Sequence, residues 1–99
     1  MAEHKISEVL QMAVEAHKSG DVQTADKYYT AILKAQPNHP DANHNMGVLA
    51  VGVGKHEMAL RFFQMAINVN PKIEQFWISL IDNLIHLKQG DKAKEIAQK

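Results

Sequence analysis

The 99-residue chain contains no cysteine. That removes disulfide bridges, thiolate zinc sites and cysteine nucleophiles together, and it fits a reducing compartment. Neither charge is in excess: 11 Lys and Arg balance 11 Asp and Glu. Without a basic surplus no global field recruits nucleic acid or an anionic membrane. Aromatics make up only 6%, while alanine and methionine are plentiful, so helix is favoured over sheet. The longest apolar run, Val48-Leu49-Ala50-Val51, lies between glycines and is far too short to span a bilayer, and the first eight residues hold no apolar signal segment. The chain reads as a soluble, cytoplasmic protein. At 11.1 kDa it has room for one small domain or a short array of repeats, with a modest core, and a two-domain enzyme is excluded.

What is present is a period. Ala25, Ala59 and Ala93 are spaced by 34 residues, and the same step relates Gly20 to Gly54, Tyr28 and Tyr29 to Phe62 and Phe63, Leu33 to Ile67, Pro37 to Pro71, and Met12 to Met46 and Leu80. Each unit reads as two helices joined by a tight turn. In the first, Ile6, Val9, Met12, Ala13 and Ala16 recur at three- and four-residue steps, with Ser7 expected to cap the start. Ser19-Gly20-Asp21 is the stop, where glycine can take a positive φ and Asp21 can cap the next helix. That helix runs to about Gln36, before Pro37. The second unit repeats the plan from about Pro40, through Gly54, to Pro71. The third is expected to run from about Glu74 to Lys88, turn at Gln89-Gly90 and restart after Asp91. Six antiparallel helices in one domain are predicted, with units at 6–39, 40–73 and 74–99.

The pattern resembles the tetratricopeptide repeat (TPR) family, whose unit follows W-x2-L-G-x2-Y, then A-x3-F, then P. The second unit offers Asn43-x2-Met46-Gly47-x2-Ala50, Ala59-x3-Phe63 and Pro71; the first offers Val9-x2-Met12-Ala13-x2-Ala16, Ala25-x3-Tyr29 and Pro37. The third keeps Trp77-x2-Leu80 and Ala93-x3-Ala97 but carries Ile81 and Leu84 where small and aromatic residues are usual. The resemblance implies an all-α, right-handed α-solenoid of three helix-turn-helix repeats, the third truncated. Ala13 and Gly47 are small where paired helices should cross closely, against Ala25 and Ala59. Ile81 adds bulk there, so the third pair is expected to pack differently or wider. Tyr28, Tyr29, Phe62, Phe63 and Trp77 are expected in the core.

No catalytic constellation can be assembled. The histidines at 4, 17, 39, 44, 56 and 86 include no pair at i and i+4 and no H-E-x-x-H, so a metal-dependent enzyme would need them to converge in space. Val51-Gly52-Val53-Gly54-Lys55-His56 lacks the first glycine and the Ser/Thr of a phosphate loop, and no strand precedes it. The three serines lie in no nucleophile elbow. The chain reads as a non-enzyme with no cofactor and no metal.

What remains is surface. In TPR arrays the first helix of each unit lines a concave groove, and register places Leu10, Val14, Val48, Val51, Ile78 and Ile85 there as an apolar stripe. His17, His44, His86, Asn45 and Asp82 edge it. The chaperone-type carboxylate clamp does not fit, because Leu10 and Val14 replace its first-unit Lys and Asn, Gln75 and Ser79 replace its cations, and only Asn45 survives. The expectation is an interaction scaffold that holds an amphipathic helix or an extended apolar segment of a protein or peptide. The third unit stops at Lys99, short of its period and with no polar capping helix, so Leu84, Leu87 and Ile96 are expected to be partly uncovered. That end suggests either a piece of a longer protein or a homo-oligomer formed by stacking or swapping. A second reading makes the chain a tethering module, because Pro71 to Trp77 resembles segments that precede glycosyl- or sulfotransferase domains in bacterial TPR proteins.

Overall fold

The computed structural model describes residues 5–97, with side chains through residue 90. The fold is all-α: α1 (Ile6–Lys18), α2 (Val22–Ala35), α3 (Pro40–Gly52), α4 (His56–Val69) and α5 (Glu74–Ala97), with no strand among the described residues. The first two units have the same dimensions. Each pairs a helix of 13 residues with one of 14, joined by a three-residue turn and followed by a four-residue connection.

The turns show why. Gly20 and Gly54 both sit in the left-handed region, at φ 83° and 81°, where a Cβ would be strained. Around each, two backbone N–H groups reach back to the helix just ended. Gly20 N donates to His17 O (3.1 Å) and Asp21 N to Ala16 O (2.9 Å); Gly54 N donates to Val51 O (3.0 Å) and Lys55 N to Ala50 O (2.8 Å). This is the Schellman closure, which satisfies carbonyls that a helix end otherwise leaves open. Asp21 then accepts from Thr24 N through its carboxylate and starts α2. At the start of α1, Ser7 does not cap. The helix begins at Ile6, ahead of Ser7, after Lys5, whose backbone N–H donates to the Glu8 carboxylate at 3.2 Å.

The prolines close the other ends. Beyond Pro37 the carbonyl has no helix to join, and the Asn43 side chain donates to it at 3.0 Å; one period later the Trp77 indole N–H donates to Pro71 O at 2.7 Å. That bond draws the Trp77 ring over the connection between α4 and α5. It is therefore 42% exposed rather than buried, and its neighbour Phe76 takes the core position.

Consecutive helices pack against one another, and α1, α3 and α5 also meet in turn, whereas α2 and α4 do not. The layer made by α1, α3 and α5 is thus the closer-spaced one, and the array bends toward it. The molecule measures 57 × 29 × 19 Å, so its core is a string rather than a ball. One cluster joins Ala13, Ala25, Tyr29 and Leu49; a second joins Ala50, Ala59 and Phe63; a third joins Ala66, Ile67 and Phe76. Tyr29 and Phe63 are fully buried and Tyr28 and Phe62 partly so. Burying one such ring contributes about 2–3 kcal/mol.

The expected sixth helix is absent among the described residues. Helix α5 runs for 24 residues straight through Gln89-Gly90. The column that holds Gly20 and Gly54 holds Lys88 in the third unit, and a lysine resists the left-handed conformation that the turn needs. Gly90 lies two residues off that column and is helical. Ile81 falls in the column of Ala13 and Gly47, where bulk would hold a returning helix away. Ala93 and Ile96, expected on that returning helix, lie outside the described side chains.

These turns make opposite predictions for three glycines. Gly20→Ala and Gly54→Ala should each lower unfolding free energy by about 1–2 kcal/mol, because nothing surrounds the added Cβ and the strain lies in the backbone. Gly90→Ala should instead raise it by about 0.5–1 kcal/mol, as alanine does inside a helix. Urea titrations of the three variants measure this, and a destabilised Gly90→Ala would show a turn at that place.

Candidate partner-binding groove

On the α1, α3 and α5 side, two depressions meet. The first lies between α1 and α3 and is lined by Val14, His17, Lys18, Tyr29, Asn45 and Val48. The second lies between α3 and α5, with Val48, Val51, Ser79, Asp82 and His86 around it and Phe63 and Asn83 beneath. Val48, exposed, belongs to both and makes them one surface.

Helix α3 can present this face because it is covered on its others. Ala42, Asn43, Gly47, Leu49 and Ala50 are buried against the neighbouring helices, so Val48 and Asn45 are left facing outward. Gly47 fixes how deep the groove is. A Cβ there would lie 2.5 Å from the Phe63 ring, closer than carbon atoms approach, so only glycine lets the ring lie under α3.

The floor carries a chain of polar groups. The Tyr29 hydroxyl lies 3.5 Å from His17 Nδ1, and Asn45 borders the same depression. Asn45 Oδ1 is 3.3 Å from His44 Nδ1, and His44 Nε2 is 2.8 Å from Ser79 Oγ. Gln75 donates to the same Ser79 oxygen. An amide oxygen only accepts, so His44 Nδ1 carries the proton; Nε2 then accepts from the serine hydroxyl, which in turn accepts from Gln75. The Asn45–His44–Ser79–Gln75 chain ties α3 to α5 across the groove, and the His17–Tyr29 contact joins α1 to α2. Burial pushes the Tyr29 phenol above its ordinary value, against the opposing bond from Asn45. Burial likewise lowers the His44 pKa, opposed by Asn45 and by the charge of Asp41.

Sequence register and structure place the groove residues differently. Val14, His17, Asn45, Val48, Val51 and Asp82 line the two depressions. Leu10 does not: it packs against the cluster of Ala13, Ala25 and Tyr29. His44 is no rim residue either. It is buried, stacked on Phe76 at 4.8 Å between centroids and tilted on Phe63 at 5.5 Å. Ile78 and Ile85 are 44% and 50% exposed but line neither depression. The register argument puts Ser79 on this face, as the structure does, but misses Tyr29, Phe63 and Asn83, which reach the floor from the second layer and from the deep side of α5. Asn83 is fully buried because it binds His56 twice, through Nδ1 at 3.0 Å and the carbonyl at 2.9 Å. His56 and His86 stack at 5.2 Å, yet no group of three His, Asp or Glu able to hold a metal gathers among the described residues. The glycine-rich stretch from Val51 to His56 forms the end of α3, its turn and the start of α4. No described helix is long and apolar enough to cross a membrane.

His44 gives a pH dependence of known sign. Burial disfavours its charged form, so native His44 protonates at lower pH than the unfolded chain, whose histidines titrate near 6.5. Between those values the unfolded state binds more protons. Stability is therefore fully present above about pH 6.5 and falls as pH drops, levelling off once native His44 is protonated. In urea titrations from pH 7.5 to 5.0 the loss should be smaller for His44→Phe, whose ring keeps the stack on Phe76, than for the wild-type chain.

Neither a scan of protein-family models nor a search of curated proteins finds a match to this chain.

Proposed function

We propose that this chain is a right-handed α-solenoid of the TPR type that acts as a non-catalytic interaction module, holding an apolar peptide segment along its α1, α3 and α5 face. The observation that carries this reading is the merging of two depressions at Val48 into one surface, apolar along α3 and bordered by polar side chains. Support for the TPR reading comes from the geometry of the period: the same helix lengths, the same left-handed glycine and the same proline-carbonyl bond recur after 34 residues.

The chemistry of the face selects its ligand. Val14, Val48 and Val51 offer apolar contact, while His17, Asn45, Asp82 and His86 can pair with backbone or side-chain polar groups of a segment laid across them. A ligand with apolar anchors on one side suits this arrangement. An acidic tail does not, since among the described residues Lys18 is the one lysine or arginine that borders either depression, and Asp82 borders the second.

A displayed library of random 15-residue peptides, selected on the wild-type chain and measured by fluorescence anisotropy, tests this. Selected peptides should carry apolar anchors at helical or alternating spacing and should bind Val48→Lys at least about tenfold more weakly, the effect of one uncompensated charge in an apolar contact. Val48 is already exposed, so the variant should keep its circular dichroism spectrum. Peptides that bind a folded Val48→Lys or Val51→Glu as tightly as the wild type would rule the groove out.

A further inference from the structure

Helix α5 has a second apolar face, directed away from the groove. Phe76, Leu80 and Asn83 face α3 and α4, whereas Trp77, Ile78, Ile81, Leu84 and Ile85 are between 42% and 52% exposed. At 3.6 residues per turn these five fall in one stripe about 120° wide. A returning helix of the third unit would have covered it, but α5 runs straight on.

The stripe is symmetric. Three residues either side of Ile81 stand Ile78 and Leu84, four either side stand Trp77 and Ile85, and seven either side stand Glu74 and Lys88, both exposed. The apolar order is the same in both directions, while the terminal charges are opposite. A two-fold interface needs this property, since residue i of one copy meets residue j of the other and j meets i. We propose that two copies of this chain pair through antiparallel α5 helices, with the two-fold axis at Ile81 and Glu74 of each copy facing Lys88 of the other.

Charge decides the orientation and the occupant. In a parallel pair Glu74 would meet Glu74 and Lys88 would meet Lys88, a repulsion at both ends. Antiparallel, both ends attract. A second copy thus supplies, at the right places, the apolar residues and the two charges that the stripe calls for. The spacing 74, 77, 81, 84, 88 also alternates three and four, as in the seam of paired helices. Over this segment the contact is about 21 Å long. The groove lies on other faces of the array, so a pair could hold two peptides at once.

Sedimentation velocity over a concentration series tests the pairing, with the fluorescence of the single tryptophan, Trp77, as a local readout. The wild type should move from 11.1 kDa toward twice that mass as concentration rises, with a change in Trp77 emission. Ile81→Lys, which sets two lysines on the axis, should stay at 11.1 kDa with an unchanged circular dichroism spectrum. Glu74→Lys and Lys88→Glu should each raise the dimer dissociation constant by about tenfold, since two symmetric pairs are lost at once, and the double variant should restore it. A wild type monomeric at millimolar concentration, or a dimer that survives Ile81→Lys, overturns the proposal. A double variant no better than the single ones overturns the antiparallel register. Val48→Lys should pair like the wild type, so the groove and the pairing can fail separately.

Discussion

The closeness of α3 to the Phe63 ring is the constraint on which the rest depends. With no Cβ at Gly47, the ring slides under α3, and Ala13 stands in the same column over Tyr29 in the first unit. This brings the paired helices near enough for alanines at 25 and 59 to be fully buried. It also draws Phe63 up to the floor of the groove, beside His44 and within reach of α5. Where the column changes to Ile81, the close crossing has no basis, and α5 has no partner helix across that side among the described residues. One small-residue position thus accounts for a tight second unit and an open third.

The turn column works alongside it. Two glycines at left-handed φ permit the chain to reverse in three residues, and the bonds around them use the last helical carbonyls. With Lys88 at that column, continuing the helix satisfies the backbone at lower cost than reversing. Packing and turn geometry therefore fail together in the third unit, leaving its apolar stripe uncovered. The bend of the array has the same origin: helices α1, α3 and α5 approach one another while α2 and α4 stay apart, which gathers the groove residues on the inner side.

Much of this was legible in the residues. The 34-residue step located four helices, both glycine turns, the Pro40 start and the Asp21 cap, because these depend on local geometry that one residue type dictates. Gln89-Gly90 looks like a stop in isolation, but the register asks for glycine at 88, where Lys88 stands, and the helix continues. Repeat register puts His44 at the rim, and only the three-dimensional placing of Phe76 and Ser79 makes a buried, bonded imidazole stable. The floor residues Tyr29 and Phe63 come from the second layer, and helical periodicity within one element cannot reveal what its neighbour contributes beneath it. Bulk points Trp77 to the core, while its indole N–H bonds to the carbonyl of Pro71 at the surface.

The continuous α5 is the feature that separates this account from a closed three-unit array. Spin labels attached through cysteines at Gln75 and Glu95, in a chain that has no native cysteine, measure it by pulsed dipolar spectroscopy with the labelled chain diluted in unlabelled protein. Twenty residues of uninterrupted helix place the two backbones about 30 Å apart. A distribution centred near that separation is the result expected here. One centred near about 10–15 Å, the span across a helical hairpin, would mean that the third unit closes on itself and that the open face does not exist.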